Sequence, residues 1–231
     1  MKSEELAGKN RALVRRVERL WLWFFPRRCV WCRGVTEPGC MLCTACEPEA
    51  APLRLVDALV PGSRTPLVSV FSYHGKAKGI VFHMKFHDGR GYAPSIGYAM
   101  GDALAATLDN PGAWLFCPVP MTAAQEKERG YNHSALLARA AARWVGAGYD
   151  PALLAKLRET QTQHSLPAAQ REQNVRGAYA AVRPERVKGR KIVLCDDICT
   201  TGATLRDCVR ALEEAGASEI LCLTFLRTEL E

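Results

Sequence analysis

Apolar positions along the chain follow two periods. In VSVFSY (68–73), WLFCPVP (114–120), IVLCD (192–196) and EILCLTFL (219–226) they form short dense runs, as buried strands do. Between these runs the spacing turns helical. Ile96, Met100 and Leu104 share a face within 95–108, a second helix is expected over 132–145, and Leu205, Cys208, Val209 and Leu212 fall at i, i+3, i+4 and i+7 within 203–215. Residues 76–86 read as a further short helix. Strands alternating with helices predict an α/β domain, with a mainly parallel sheet flanked by helices, over 68–231. Upstream of it, residues 1–28 read as a basic amphipathic helix with Leu13, Val17, Leu20, Trp21 and Phe24 at helical spacing. A cysteine-dense module follows at 29–50, and 51–67 is expected to be a linker.

Composition narrows the classes. A chain of 231 residues with 48% hydrophobic side chains can fill a sizeable core, which excludes a disordered protein. The net charge of +7 favours anionic partners, either phosphorylated small molecules or nucleic acid. LWLWFF at 20–25 is far too short to span a bilayer, and no small-residue cleavage site follows it. A soluble cytoplasmic protein is expected, its basic helix docked on its own domain or lying on a membrane surface.

Five of the ten cysteines crowd into CVWCRGVTEPGCMLCTAC. Two CxxC pairs separated by a short loop can place four thiolates around structural Zn2+, and without a secretion signal a disulfide framework is disfavoured. The favoured ligands are Cys29, Cys32, Cys43 and Cys46; Cys40 can stand in for Cys43, because Cys40 to Cys43 has the same spacing. Cys117, Cys195, Cys199, Cys208 and Cys222 lie in strand or helix contexts, where core packing is the expected role.

The most informative stretch is KIVLCDDICTTGATL, 191–205. The turn Thr200, Thr201, Gly202, Ala203 and Thr204 runs into a helix N-terminus, where unpaired amides and the helix dipole favour an anion. Asp196 and Asp197, just upstream, repel phosphate but accept hydrogen bonds from sugar hydroxyls. A phosphate beside a diol describes a ribose 5-phosphate. No GxxxxGK[ST] and no GxGxxG after a strand compete with this reading, and a metal-binding aspartate pair in another phosphate-handling fold is the alternative.

VLCDDICTTGATL resembles the 5-phosphoribosyl 1-pyrophosphate (PRPP) signature of type I phosphoribosyltransferases. The order YHGKAKGIVFHMKFHDGR, CPVP, KERGYNHSALLAR, RETQTQHSLPAAQREQNVRGAY and then the PRPP loop, behind a cysteine knuckle, resembles the ComF family of competence-associated proteins. The resemblance covers roughly residues 29–228. It implies a Rossmann-like type I phosphoribosyltransferase fold with a small zinc module, binding PRPP with Mg2+. Asp196 and Asp197 would hold the ribose and residues 200–204 the 5-phosphate. The turn after CPVP would face pyrophosphate, with Lys127 and Arg129 in place of the arginines usual there, and with His133 where a glutamine is more usual. Gln163, Leu166, Arg171, Asn174 and Arg176 resemble a mobile loop that closes over PRPP, and Lys85 would approach the phosphates. His83 and His87 have metal-compatible spacing, with a satisfied or exposed pair the commoner outcome.

Two functions follow from the resemblance. One is a PRPP-binding accessory of DNA uptake that engages single-stranded DNA and the uptake machinery, with Trp21, Trp23, Phe24, Phe25 and Trp31 available to stack on bases. The other is a phosphoribosyltransferase acting on an unidentified acceptor, its hood supplied by the zinc module.

Overall fold

A computed structural model of the chain describes residues 9–17, 19, 27–49, 55–59, 63–73, 77, 79–80, 89–160 and 175–228. The dense apolar runs become the centre of a six-stranded sheet. Its strands are β1 (Leu55–Ala58), β2 (Pro66–Ser72), β3 (Leu115–Pro118), β4 (Gly148–Tyr149), β7 (Lys191–Cys199) and β8 (Glu219–Arg227), in the order β1-β2-β8-β7-β3-β4. Every pairing is parallel except the edge pair β1 with β2. Residues 51–67 therefore do more than link: β1 lies within them, and so does the start of β2. A second, two-stranded antiparallel sheet pairs β5 (Leu154–Lys156) with β6 (Tyr179–Ala181).

Helices cover both faces. Inward positions alternate along each central strand, so that Phe116, Val193, Cys195, Leu223 and Phe225 pack on α1 (Ala93–Ala105) and α3 (His133–Val145). Cys117, Ile192, Leu194 and Cys222 pack on the other side, against α5 (Ala203–Glu214) and the small sheet. The i, i+3, i+4, i+7 set of α5 is buried as its spacing predicts. α1 and α3 approach closely because Gly97 and Gly101 carry no side chain: a Cβ on Gly97 would lie 2.5 Å from that of Ala140, and one on Gly101 would meet the Trp144 indole at 2.9 Å. Two short helices, α2 (Ala123–Arg129) and α4 (Pro184–Val187), were not expected from periodicity.

Two expectations shift. The strand expected to stop at Asp196 continues to Cys199, because β8 carries its ladder on to the pair Cys199 and Arg227. At the N-terminus, residues 9–17 are helical, but Val14 is the residue buried on the domain, while Leu13 and Val17 are 59% and 38% exposed. Arg11 pairs with Asp102 at 3.4 Å and Arg15 stacks over Trp144 at 5.6 Å, so polar anchors rather than the apolar stripe set this face. Most of the helix expected over 76–86 lies outside the described residues, as does LWLWFF. Among the described residues no helix is long and apolar enough to cross a membrane.

Candidate functional site

The carboxyl ends of β3 and β7 open into a cavity of about 240 Å³. In a parallel sheet this edge is where loops are released from the ladder and helix N-termini converge. β7 delivers Asp196 and Asp197 there. Asp196 is half-buried, and its Oδ1 accepts the Ser134 hydroxyl at 2.7 Å and the Asp197 amide at 2.9 Å. Ser134 stands in the first turn of α3, so one helix start orients the carboxylate. Asp197 is 6% exposed.

The chain then turns through Thr200 and Thr201 to Gly202, which caps α5 in the left-handed conformation at φ 73°. A side chain there would be strained, and Gly202 itself supplies no side-chain cap, although the Ala203 amide donates to the Thr201 hydroxyl at 3.4 Å. Thr200, Gly202, Ala203 and Thr204 all line the cavity. The turn is braced from outside: the Arg206 guanidinium donates to the Thr201 carbonyl at 3.1 Å, and the Thr228 hydroxyl donates to that of Thr200 at 3.2 Å. Thr201 thus braces the turn rather than lining the cavity. The result is a helix N-terminus offering backbone donors beside two carboxylates.

The opposite wall comes from α2, the start of α3 and the small sheet. Thr122 and Gln125 form a capping box at the start of α2, and Asn132 caps α3 while its amide donates to the Val119 carbonyl at 3.0 Å. These bonds set the path of the chain after CPVP. Arg129 lines the cavity; Lys127, on the same helix, is exposed and does not. His133 is buried against Tyr131, whose ring carries Arg90 at 4.5 Å. Arg176 is exposed and away from the cavity, its carbonyl accepting the Arg158 guanidinium at 3.0 Å. Lys85, His83, His87, Gln163, Leu166, Arg171 and Asn174 lie outside the described residues.

Sequence reasoning passed over three residues. Lys156 lines the cavity, Ser134 holds Asp196, and Asp207 on the buried face of α5 accepts the amides of Gly177 and Tyr179 at 2.8 and 3.0 Å and pairs with Arg210 at 3.0 Å. Burial alone would raise the Asp207 pKa, but the bonds from Arg210, Gly177 and Tyr179 outweigh it and hold the carboxyl below its ordinary value. A lysine ending a three-residue strand and an aspartate within a helix pattern carry no signature of their own. The one available hint was that Asp207 is a charge next to a buried stripe.

The cysteine module is a separate centre. The sulfurs of Cys29, Cys32, Cys43 and Cys46 all lie within 4.8 Å of one another, and those of Cys32 and Cys43 are 3.6 Å apart. A tetrahedral ZnS4 site with bonds of ~2.3 Å has sulfurs about 3.8 Å apart, so the set fits a thiolate-bound metal. Cys40 is outside it; its carbonyl accepts the Thr36 hydroxyl. Arg33 at φ 62° closes the first turn, and the amides of Trp31 and Gly34 each donate to a cysteine sulfur at 3.4 Å. Among the described residues this is the only cluster of three or more such ligands. Met41 anchors the module in the main core and Trp31 packs near Phe71 at 6.5 Å between ring centres.

Comparison with known proteins agrees with this picture. A phosphoribosyl transferase domain model matches residues 134–229. The chain is 28% identical over 208 residues to the DNA utilization protein YhgH of Salmonella typhimurium, covering 87% of this chain and 90% of that protein. It is 34% identical over 104 residues to competence protein F of Haemophilus influenzae, 45% of each chain. Over 164 residues it is 28% identical to competence protein ComFC of Bacillus subtilis, covering 69% of this chain and 63% of that protein. The matched domain begins at Ser134 and contains the whole strand, turn and helix that build the cavity's near wall.

Proposed function

From the premise that the chain belongs to the ComF family, we propose that it binds PRPP with Mg2+ in the cavity at the ends of β3 and β7 and serves DNA uptake through contact with single-stranded DNA. The observation that carries the PRPP reading is the junction of β7 and α5: a left-handed Gly202 at a helix N-terminus that lines the cavity for the 5-phosphate, next to Asp196 and Asp197 for the ribose diol. Mg2+ enters with PRPP, and the hard oxygens of the two aspartates suit it. The cysteine cluster is assigned to structural zinc. The names of the relatives support the DNA role, and so does the net charge of +7.

Calorimetry with Mg2+ and PRPP tests the first part. Asp196→Asn and Asp197→Asn should weaken binding by loss of charged acceptors, and Gly202→Val by strain and by filling the phosphate's approach. Unchanged affinity in all three would remove the reading. For the DNA part, affinity for single-stranded DNA should fall log-linearly with salt, and neutralising Arg16 and Arg19 should flatten that slope. Those two are the better choice because Arg11 and Arg15 already anchor the helix.

A transferase is the second reading, favoured by Arg129 and Lys156 standing in the same cavity as the aspartates, where they could neutralise departing pyrophosphate. Pyrophosphate release with any member of a panel of bases would promote it over the accessory role.

A further inference from the structure

A groove of about 400 Å³ runs between β6 and α5, lined by Leu157, Ala180, Ala181, Pro184, Ala211 and Ala215. It is separate from the cavity at the strand ends, with which it shares only Tyr179. Leu157 is 62% exposed and Val182, next to Ala181, is 49% exposed, so large apolar side chains stand in water at its borders. Alanine at four of the lining positions keeps the floor low and the space open. An apolar recess on an otherwise charged surface marks an interaction site.

Cations surround the recess. Arg176 and Arg158, whose guanidinium donates to the Arg176 carbonyl at 3.0 Å, stand at the end formed by Leu157 and Gly177. Arg183 precedes Pro184, and Lys188 flanks Gly216, where a Cβ would meet its Cγ at 3.5 Å. All four are exposed, and none of them pairs with a carboxylate among the described residues. Arg210 differs, because Asp207 and Glu214 already take its guanidinium at 3.0 and 2.7 Å. Glu185, beside Pro184, offsets only part of the remaining positive charge.

We propose that the groove docks an acidic peptide segment of a partner protein, whose apolar side chains enter over the alanines while its carboxylates meet Arg158, Arg176, Arg183 and Lys188. A second copy of this chain fits poorly, because a two-fold contact would set the same cations against one another on chains that each carry +7. Single-stranded nucleic acid fits poorly too: it stacks on exposed aromatic rings, and Tyr179, the ring that lines the groove, is 5% exposed. Nor can the segment add to β6 as a further strand. Asp207 and Arg210 already hold the outward amide and carbonyl of Tyr179 at 3.0 and 3.1 Å, so recognition is by side chains. The inference stands apart from the PRPP reading.

Selection of a random-sequence peptide display library on the full chain tests the proposal. Enriched peptides should combine Asp or Glu with Leu, Ile or Phe, and their affinity, read by fluorescence anisotropy, should fall at least about tenfold in Ala181→Trp, which fills the groove. The double charge reversal Arg183→Glu with Lys188→Glu changes exposed side chains alone and should also cost about tenfold, most at low salt. Neither variant touches the cavity lining, so PRPP binding serves as the control. Enrichment of peptides without acidic residues, affinities that neither variant lowers, or no enrichment at all overturns the proposal. Displacement of the peptide by a thymidine oligonucleotide of equal affinity would give the face to nucleic acid, and a concentration-dependent dimer that Ala181→Trp abolishes would give it to a second copy; either result overturns it as well.

Discussion

Cys29, Cys32, Cys43 and Cys46 lie close together where backbone amides point at sulfur, whereas Cys117, Cys195, Cys208 and Cys222 are fully buried among the aliphatic side chains of the sheet and α5. The residue type is the same and the chemistry is opposite. For Cys29, burial alone would raise the thiol pKa, but amide contacts from Cys32, Cys43 and Trp31 bring it down to about 7. Burial pushes Cys117 up to about 12 and holds Cys195, Cys208 and Cys222 well above their ordinary value. Cys46, in the same cluster as Cys29, is pushed up to about 12 by burial and by its contacts with Cys32, Cys43 and Cys29, so what sets the cluster apart is the convergence of four sulfurs on one point, whereas each sheet cysteine is held singly as a small hydrophobe. The lesson concerns what holds each region: a point of metal chemistry in the module, a large area of apolar contact in the domain.

The largest test of that contrast is the metal. Elemental analysis should find about one zinc per chain, and Cys29→Ser should lose it, whereas Cys117→Ser and Cys40→Ser should keep it. Structural zinc in comparable small modules contributes on the order of 10 kcal/mol, so chelation should unfold residues 27–49 while the sheet persists by circular dichroism. A module that stays ordered and protease-resistant without metal would end the comparison. Next is the core. Leu194 is fully buried on β7, and Leu194→Ala should cost about 2–5 kcal/mol in denaturant unfolding without releasing zinc.

The smallest effect sharpens the same contrast with a carboxylate. Asp207 is buried too, though less completely than the core thiols, but it is fully bonded, and its pKa goes down rather than up. A folded-state value below the unfolded one stabilises above the ordinary carboxylate range of about 3.9 and is lost as pH falls through the folded value. Asp207→Asn should therefore cost about 1–3 kcal/mol at neutral pH, and the gap to wild type should shrink below about pH 3.9. A gap that stays constant to pH 2 would show that the charge contributes nothing beyond the shape of the side chain.

Much of the site could be read directly because its parts are neighbours along the chain. Asp196 and Asp197, the turn and the start of α5 are contiguous, and so is each CxxC pair, so spacing alone placed two carboxylates beside a helix start and narrowed the metal ligands to five cysteines, while the structure decided for Cys43 over Cys40. The central strands and the buried stripe of α5 were equally legible, since burial on one face imposes a period on the sequence. What only the tertiary structure decided are the relations across distance. Ser134 reaches Asp196 because α3 starts beside the end of β7, Lys156 meets Gln125 because the small sheet leans on α2, and Asp207 holds Gly177 and Tyr179 because α5 backs that sheet. The face by which residues 9–17 dock belongs here too, because the choice of Val14 over Leu13 and Val17 was made by Asp102 and Trp144 on the domain. A hydrogen bond between residues tens of positions apart leaves no period and no spacing in a single sequence; it exists only once parallel strands and their crossover helices have fixed which ends lie side by side.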